Sequence, residues 1–152
     1  MKDTVKPDVI LESRTLRDEL AVKTYVLEKV KFLRLLPDGQ HATTEMVAGF
    51  YEVPEGTIRQ LLKRNRDEFE SDGIKVLTRK ELSDMMSLSS WELTENGYVG
   101  RFANKVVLFP RRAILRVGML LRDSEVARRV RDYLLDAEHV TTAGDIERLA
   151  LE

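Results

Sequence analysis

Residues 57–66, TIRQLLKRNR, carry four basic side chains and no acid. Lys63, Arg64 and Arg66 are the types that contact phosphate, while Thr57, Arg59 and Gln60 have donors and acceptors suited to base edges in a DNA groove. The twenty residues 44–63, TEMVAGFYEVPEGTIRQLLK, place this decapeptide in a recognisable frame. Their fifth position is the small Ala48, where two helices can cross closely. Val47, Tyr51, Val53, Ile58 and Leu61 are apolar where a helix-turn-helix joint requires it. Thr44 then falls at the start of the first helix of the pair, within reach of a phosphate. The departure is Glu52, at a position usually filled by Gly because the chain there turns left-handed. A helical hairpin with a merely solvated polar face is the bland alternative, but such faces commonly mix Glu with Lys.

A second basic stretch, residues 111–131, has seven Arg against Asp123 and Glu125. Arg111, Arg112 and Arg116 either contact phosphate beside the helix-turn-helix or solvate a helix whose other face is Ala113, Ile114, Val117, Gly118 and Leu121. Arg128, Arg129 and Arg131 are expected opposite the buried stripe of a last helix, open to DNA or to an acidic partner. Arg101, Asn104 and Lys105 precede the strongest strand signal, where the tip of a wing would lie. From Asp132 to Glu152 the balance reverses, with six acids and Arg148 alone among Lys and Arg. The net charge of −1, from 25 basic and 26 acidic residues, thus conceals two basic stretches and an acidic tail.

Other chemistry finds little support. There is no Cys, hence no disulfide framework, thiolate nucleophile or Cys-based zinc site. His41 and His139 belong to no metal-ligand spacing and are expected in surface or capping roles. None of the nine Lys follows an acid by two residues, as a nuclease core of that type needs, and no nucleophile elbow, Walker loop or dinucleotide fingerprint occurs. Trp91 and the five Met are expected in core or loop packing. The expectation is a protein without enzymatic activity, cofactor or metal.

The elements that must position these side chains follow from periodicity and turn chemistry. The 152 residues suit one domain over 1–140 with a short acidic segment at 141–152, a dimer contact, a tail or the start of a further domain. Apolar runs reach six residues at most and the start mixes both charge signs, so neither a membrane span nor a signal peptide is expected, and the cytoplasm is the expected compartment. Leu16, Leu20, Val26, Leu27, Val30 and Leu33 keep helical spacing until Pro37-Asp38-Gly39. Helices are expected at 44–52, capped by Thr43 or Thr44, and at 57–69, with a turn at 53–56. A strand at 74–77, a helix at 79–86, a loop at 87–100 with a turn at Asn96-Gly97, and a strand at 105–109 come next. Pro110 opens a helix to about 121, and Ser124 caps a last one with Val126, Val130, Leu134 and Ala137 on its buried stripe. The fold class is mainly α with a small β element, α+β.

The run TTEMVAGFYEVPEGTIRQLLKRNRDEFESDGIKVLTRKEL, followed by VVLFPRRAILRVGMLLRDSEVARRVRDYLLDAE, resembles the DNA-binding regions of phage and plasmid regulators of the Rha and KilA-N/BRO antirepressor type. The likeness covers about residues 24–139. It rests on the helix-turn-helix, on KRN and EF before a Gly and a strand, and on a strand ending in Phe-Pro before two helices. It implies a winged-helix-like domain followed by two C-terminal helices, in a regulator or accessory factor of a mobile element that binds double-stranded DNA in the bacterial cytoplasm or nucleoid. A symmetric homodimer is the expected assembly. The alternative is an antirepressor or adaptor that binds another regulator protein and keeps the helix-turn-helix as scaffold.

Overall fold

A computed structural model describes residues 8–136. Three short helices come first: α1 (Asp8–Glu12), α2 (Arg14–Leu20) and α3 (Val26–Val30). Helical spacing had suggested one longer helix. Instead Ser13 caps α2 by accepting from the Leu16 amide at 3.2 Å, and turns around Val22 and Thr24 separate α2 from α3. An extended segment then leads to β1 (His41–Thr43), a strand too short for its pattern to stand out.

Helix α4 (Thr44–Tyr51) begins at Thr43, whose hydroxyl accepts from the Met46 amide at 3.3 Å. It ends at Glu52, with φ 59° and ψ 45° in the left-handed region. Pro54 precedes α5 (Glu55–Arg64), and Asn65, at φ −123° and ψ 37°, separates it from α6 (Arg66–Ser71). The expected helix 57–69 is therefore two helices, and the first begins at Glu55. Beyond Gly73, at φ 92°, come β2 (Lys75–Thr78) and α7 (Arg79–Met86). The stretch expected as a loop contains α8 (Ser90–Glu95). Its signal was a capping box, in which the Ser89 hydroxyl accepts from the Glu92 amide and the Glu92 carboxylate from the Ser89 amide. The turn expected at Asn96-Gly97 is present, with Gly97 at φ 73°. Strand β3 (Lys105–Pro110), α9 (Arg111–Leu120) and α10 (125–136 of the described residues) complete the order. Ser124 caps α10, accepting from the Ala127 amide at 3.1 Å.

The sheet is antiparallel with β3 in the centre, in the order β1-β3-β2. Thr43 lies opposite Leu108 on one side, and Lys75 opposite Leu108 on the other. Central placement explains why KVVLFP carried the clearest strand signal: Val106, Leu108 and Phe109 are all buried. Phe109 meets Phe69 of α6 edge to face at 6.2 Å, joining the sheet to the helical layer.

Helix α9 runs through the core. Ala113, Ile114, Val117, Gly118 and Leu121 are buried as expected, but so is Arg116. Gly118 is where Tyr51 and α10 approach α9. A Cβ there would sit 2.6 Å from Tyr51 Oη and 2.9 Å from Val130 Cγ1. Tyr51 donates its hydroxyl proton to the Ile114 carbonyl at 2.7 Å, and burial pushes its phenol above the ordinary range. The expected stripe of α10 is also core, since Val126, Val130 and Leu134 pack within their own chain and are closed to a partner; Ala137 lies outside the described residues.

An internal ion network replaces the phosphate role weighed for Arg116. Its Nε and Nη2 donate to the two Asp72 oxygens, each at 2.8 Å, and its Nη1 reaches Glu68 at 2.9 Å and Asp18 at 2.8 Å. Arg17 grips Glu68 in the same forked way, at 2.6 and 2.9 Å, and donates to the Ile10 and Leu11 carbonyls. Burial opposes the charge on Arg116, but Asp72, Glu68 and Asp18 outweigh it and hold the guanidinium above its usual pKa. The network ties α1, α2, α6 and α9 together.

Candidate nucleic-acid interface

Helix α5 buries Ile58 and Leu62 and half-buries Leu61. At 100° per residue this inward stripe leaves Gly56, Arg59, Gln60, Lys63 and Arg64 exposed, with Thr57 half-buried at the margin. The helix forms a ridge between two clefts. The first, about 220 Å³, brings Thr44, Arg59 and Lys105 together with Glu45, Glu55, Tyr98, Val99 and Gly100. The second, about 500 Å³, brings Thr57, Gln60 and Arg64 to Arg122 and Asp123 just beyond α9. Seven of the side chains named from sequence are thus on α5 or share a cleft wall with it.

Because α5 begins at Glu55, its surface is not of one sign. Glu55 pairs with Arg59 one turn later, leaving Lys63 and Arg64 as the α5 cations without an ion-pair partner among the described residues. Glu45, which lines the first cleft, has one carboxylate oxygen buried without a hydrogen-bond partner among the described residues. Burial, then the nearby Glu55 charge, raises its pKa, while Arg34 partly offsets them.

The remaining expected contacts are placed differently. Arg66 belongs to α6 and pairs with Glu70 at 3.3 Å, outside the α5 face to which it was assigned. Arg111 pairs with the exposed Glu28, and Arg112 lies 3.3 Å from the buried Asp72, so both join acids of their own chain instead of extending the ridge. Each stands at the start of α9, where the fold needs counter-charges for α3 and the α6 C-cap. Arg131 is buried and donates to the Gly118 and Leu121 carbonyls, contrary to the exposed position expected; Arg129 donates to the Val30 carbonyl, and Arg128 pairs with Glu125. His41, the first residue of β1, meets Asp38 of the preceding turn at 2.6 Å, and His139 lies outside the described residues.

Arg101 is exposed on the segment leading into β3 and Lys105 is exposed as the first residue of that strand, where it also shares a depression with Thr78 and Lys80. Three further residues stand on the surface without a sequence signal for it. Arg122 lay within the counted basic stretch but beyond the helix, with no spacing to link it to α5. Phe102 is 88% exposed at a turn tip, and Trp91, expected in packing, is 69% exposed on α8. Hydrophobicity alone points the Trp91 ring inward, and nothing in the spacing around Phe102 singles that residue out.

The described residues hold no group of three or more His, Cys, Asp or Glu able to bind a metal ion, and no helix long and apolar enough to cross a membrane. No protein-family model, curated protein or solved structure matches the chain.

Proposed function

We propose that the protein is a sequence-specific double-stranded DNA-binding regulator or accessory factor of a mobile element, in which α5 enters the major groove. The observation that carries this is the α5 ridge, with Arg59, Gln60, Lys63 and Arg64 exposed and with Thr44 and Lys105 across one flanking cleft. A helix about 10–12 Å across with its side chains fits the B-DNA major groove, about 12 Å wide. The left-handed Glu52 supports a helix-turn-helix, since it supplies the conformation that the motif places there.

Element order supports a winged-helix relative. The pair α4 and α5 stands between β1 and β2, while β3 returns to the centre of the sheet. The wing would then be the β2–β3 connection, enlarged by α7 and α8. This agrees with the likeness to Rha and KilA-N/BRO regulators, and a homodimer reading two half-sites is the assembly such a module uses. The exposed Trp91 favours a second activity, capture of a regulator protein, which would persist in a chain unable to bind DNA.

Selection from a random duplex library, followed by binding of Gln60→Ala and Arg59→Ala, tests the base-reading face. Loss of about 1–3 kcal/mol of discrimination at particular base pairs is expected. Equal loss on all sequences would remove these residues from base recognition, and failure of the unaltered chain to select any sequence would overturn specific binding.

A further inference from the structure

Phe102 is 88% exposed, yet it is held by a built mount. It occupies a tight turn in which the Ala103 amide donates to the Gly100 carbonyl at 3.2 Å. Arg79 closes that turn from below: its Nη1 donates to the Gly100 carbonyl at 2.8 Å and to the Ala103 carbonyl at 3.1 Å. The same guanidinium donates to the Ser90 hydroxyl and carbonyl and to Thr94, while the Arg79 amide donates to the Asn104 carbonyl at 2.8 Å. One side chain therefore fixes the turn to α8 and to the start of α7.

The setting is basic. No acid occurs between Gly97 and Arg122, and Arg101 lies 5.8 Å from the Phe102 ring centroid. Gly100 and Ala103, which bracket the tip, line the cleft whose opposite wall includes Arg59 of α5. The acids of that cleft are Glu45, partly buried, and Glu55, paired with Arg59. An apolar ring on a rigid turn beside a cation, next to a groove-sized helix, has the chemistry of a minor-groove wedge. The cation is drawn to the groove's negative potential and the ring replaces a base neighbour in the stack.

We propose that Phe102 inserts between two base pairs in the minor groove flanking the α5 site, with Arg101 beside it, and unstacks and bends the DNA there. This rests on the DNA-binding proposal above. It goes further by assigning the turn a deforming role, so that sequence preference outside the α5 contacts would come from steps that unstack easily, such as TA and CA/TG.

The test uses the full chain and duplexes that it selects from a random library, with 2-aminopurine placed at successive flanking positions. Binding should raise 2-aminopurine fluorescence at one flanking step and bring end-attached dyes closer together. Phe102→Ala should abolish both signals, keep the melting temperature of the unaltered chain, and bind more weakly by roughly ten- to a hundredfold, the scale of one lost base–aromatic stack. Phe102→Trp should restore the fluorescence rise. If the unaltered chain binds with no rise at any flanking position, or Phe102→Ala keeps the rise, the wedge is overturned while DNA binding stands. If the unaltered chain selects no duplex, both fall, and the exposed ring belongs to a protein contact.

Discussion

Individual residues fix the geometry at three places where substitution has a definite sign. Gly118 has no room for a methyl group, because Tyr51 Oη and Val130 Cγ1 occupy it. Gly118→Ala should lower stability by about 1–3 kcal/mol through overpacking, which urea unfolding will measure; an unchanged midpoint would mean that α10 moves aside freely. Glu52 is the reverse case. Its left-handed backbone is costly for a residue with a Cβ, and its carboxylate gains only a half-exposed pair with Lys31 at 3.1 Å. Glu52→Gly should be neutral or stabilising by up to about 1 kcal/mol. Glu45 adds a pH dependence. Its folded pKa lies above the ordinary 4.5, so the cost of ionisation is absent well below that value and fully present once pH exceeds the raised pKa. Glu45→Gln should therefore raise the melting temperature more at about pH 8 than at about pH 4, and an equal effect at both would assign the change to something other than charge.

At the scale of elements, the chain is held by joints that differ in how visible they are in sequence. The α4–α5 pair was legible because its apolar positions, Ala48 and the turn follow a fixed spacing, and β3 was legible because a central strand is apolar on both faces. The sequence pattern places the start of α5 at Thr57, two residues beyond Glu55, where the helix begins. Glu55 and Gly56 looked like turn residues after Pro54, but Pro54 is the N-cap and Glu55 opens the helix. Asn65 ends α5 through backbone angles that no composition announces. The Arg116 network was invisible because Asp18, Glu68 and Asp72 lie far from it along the chain, and a helical Arg between apolar neighbours looks the same whether solvated or buried. Its removal has a large expected effect. Arg116→Met should cost about 3–5 kcal/mol, since Asp72 and Glu68 stay buried with fewer counter-charges. A loss below about 1 kcal/mol would mean that Arg17 and Arg112 suffice to neutralise them.

For the whole molecule, the distinction that matters is between charges the fold consumes and charges it leaves outward. Arg17, Arg111, Arg112, Arg116 and Arg131 are spent on acids or carbonyls of their own chain, although their types alone suit a surface. Of the cations left exposed, Lys63, Arg64, Arg101, Lys105 and Arg122 lie on α5, at the start of β3 or just before it, or beside the α5 clefts, while Lys29, Lys75 and Lys80 are exposed on α3, β2 and α7. The acidic segment 141–152, expected as a dimer contact, a tail or the start of a further domain, lies outside the described residues, and the Val126, Val130 and Leu134 stripe is occupied by the core. Binding of duplex DNA by this outward set is the central claim, and its salt dependence tests it most directly. Fluorescence anisotropy with a duplex of arbitrary sequence, titrated with the full chain at several salt concentrations, should show affinity falling steeply as salt rises, with a log–log slope of about −0.9 for each phosphate contact. Arg64→Ala should flatten that slope by about one contact. No binding at low salt, or binding whose affinity ignores salt and is unchanged in Arg64→Ala, would contradict it.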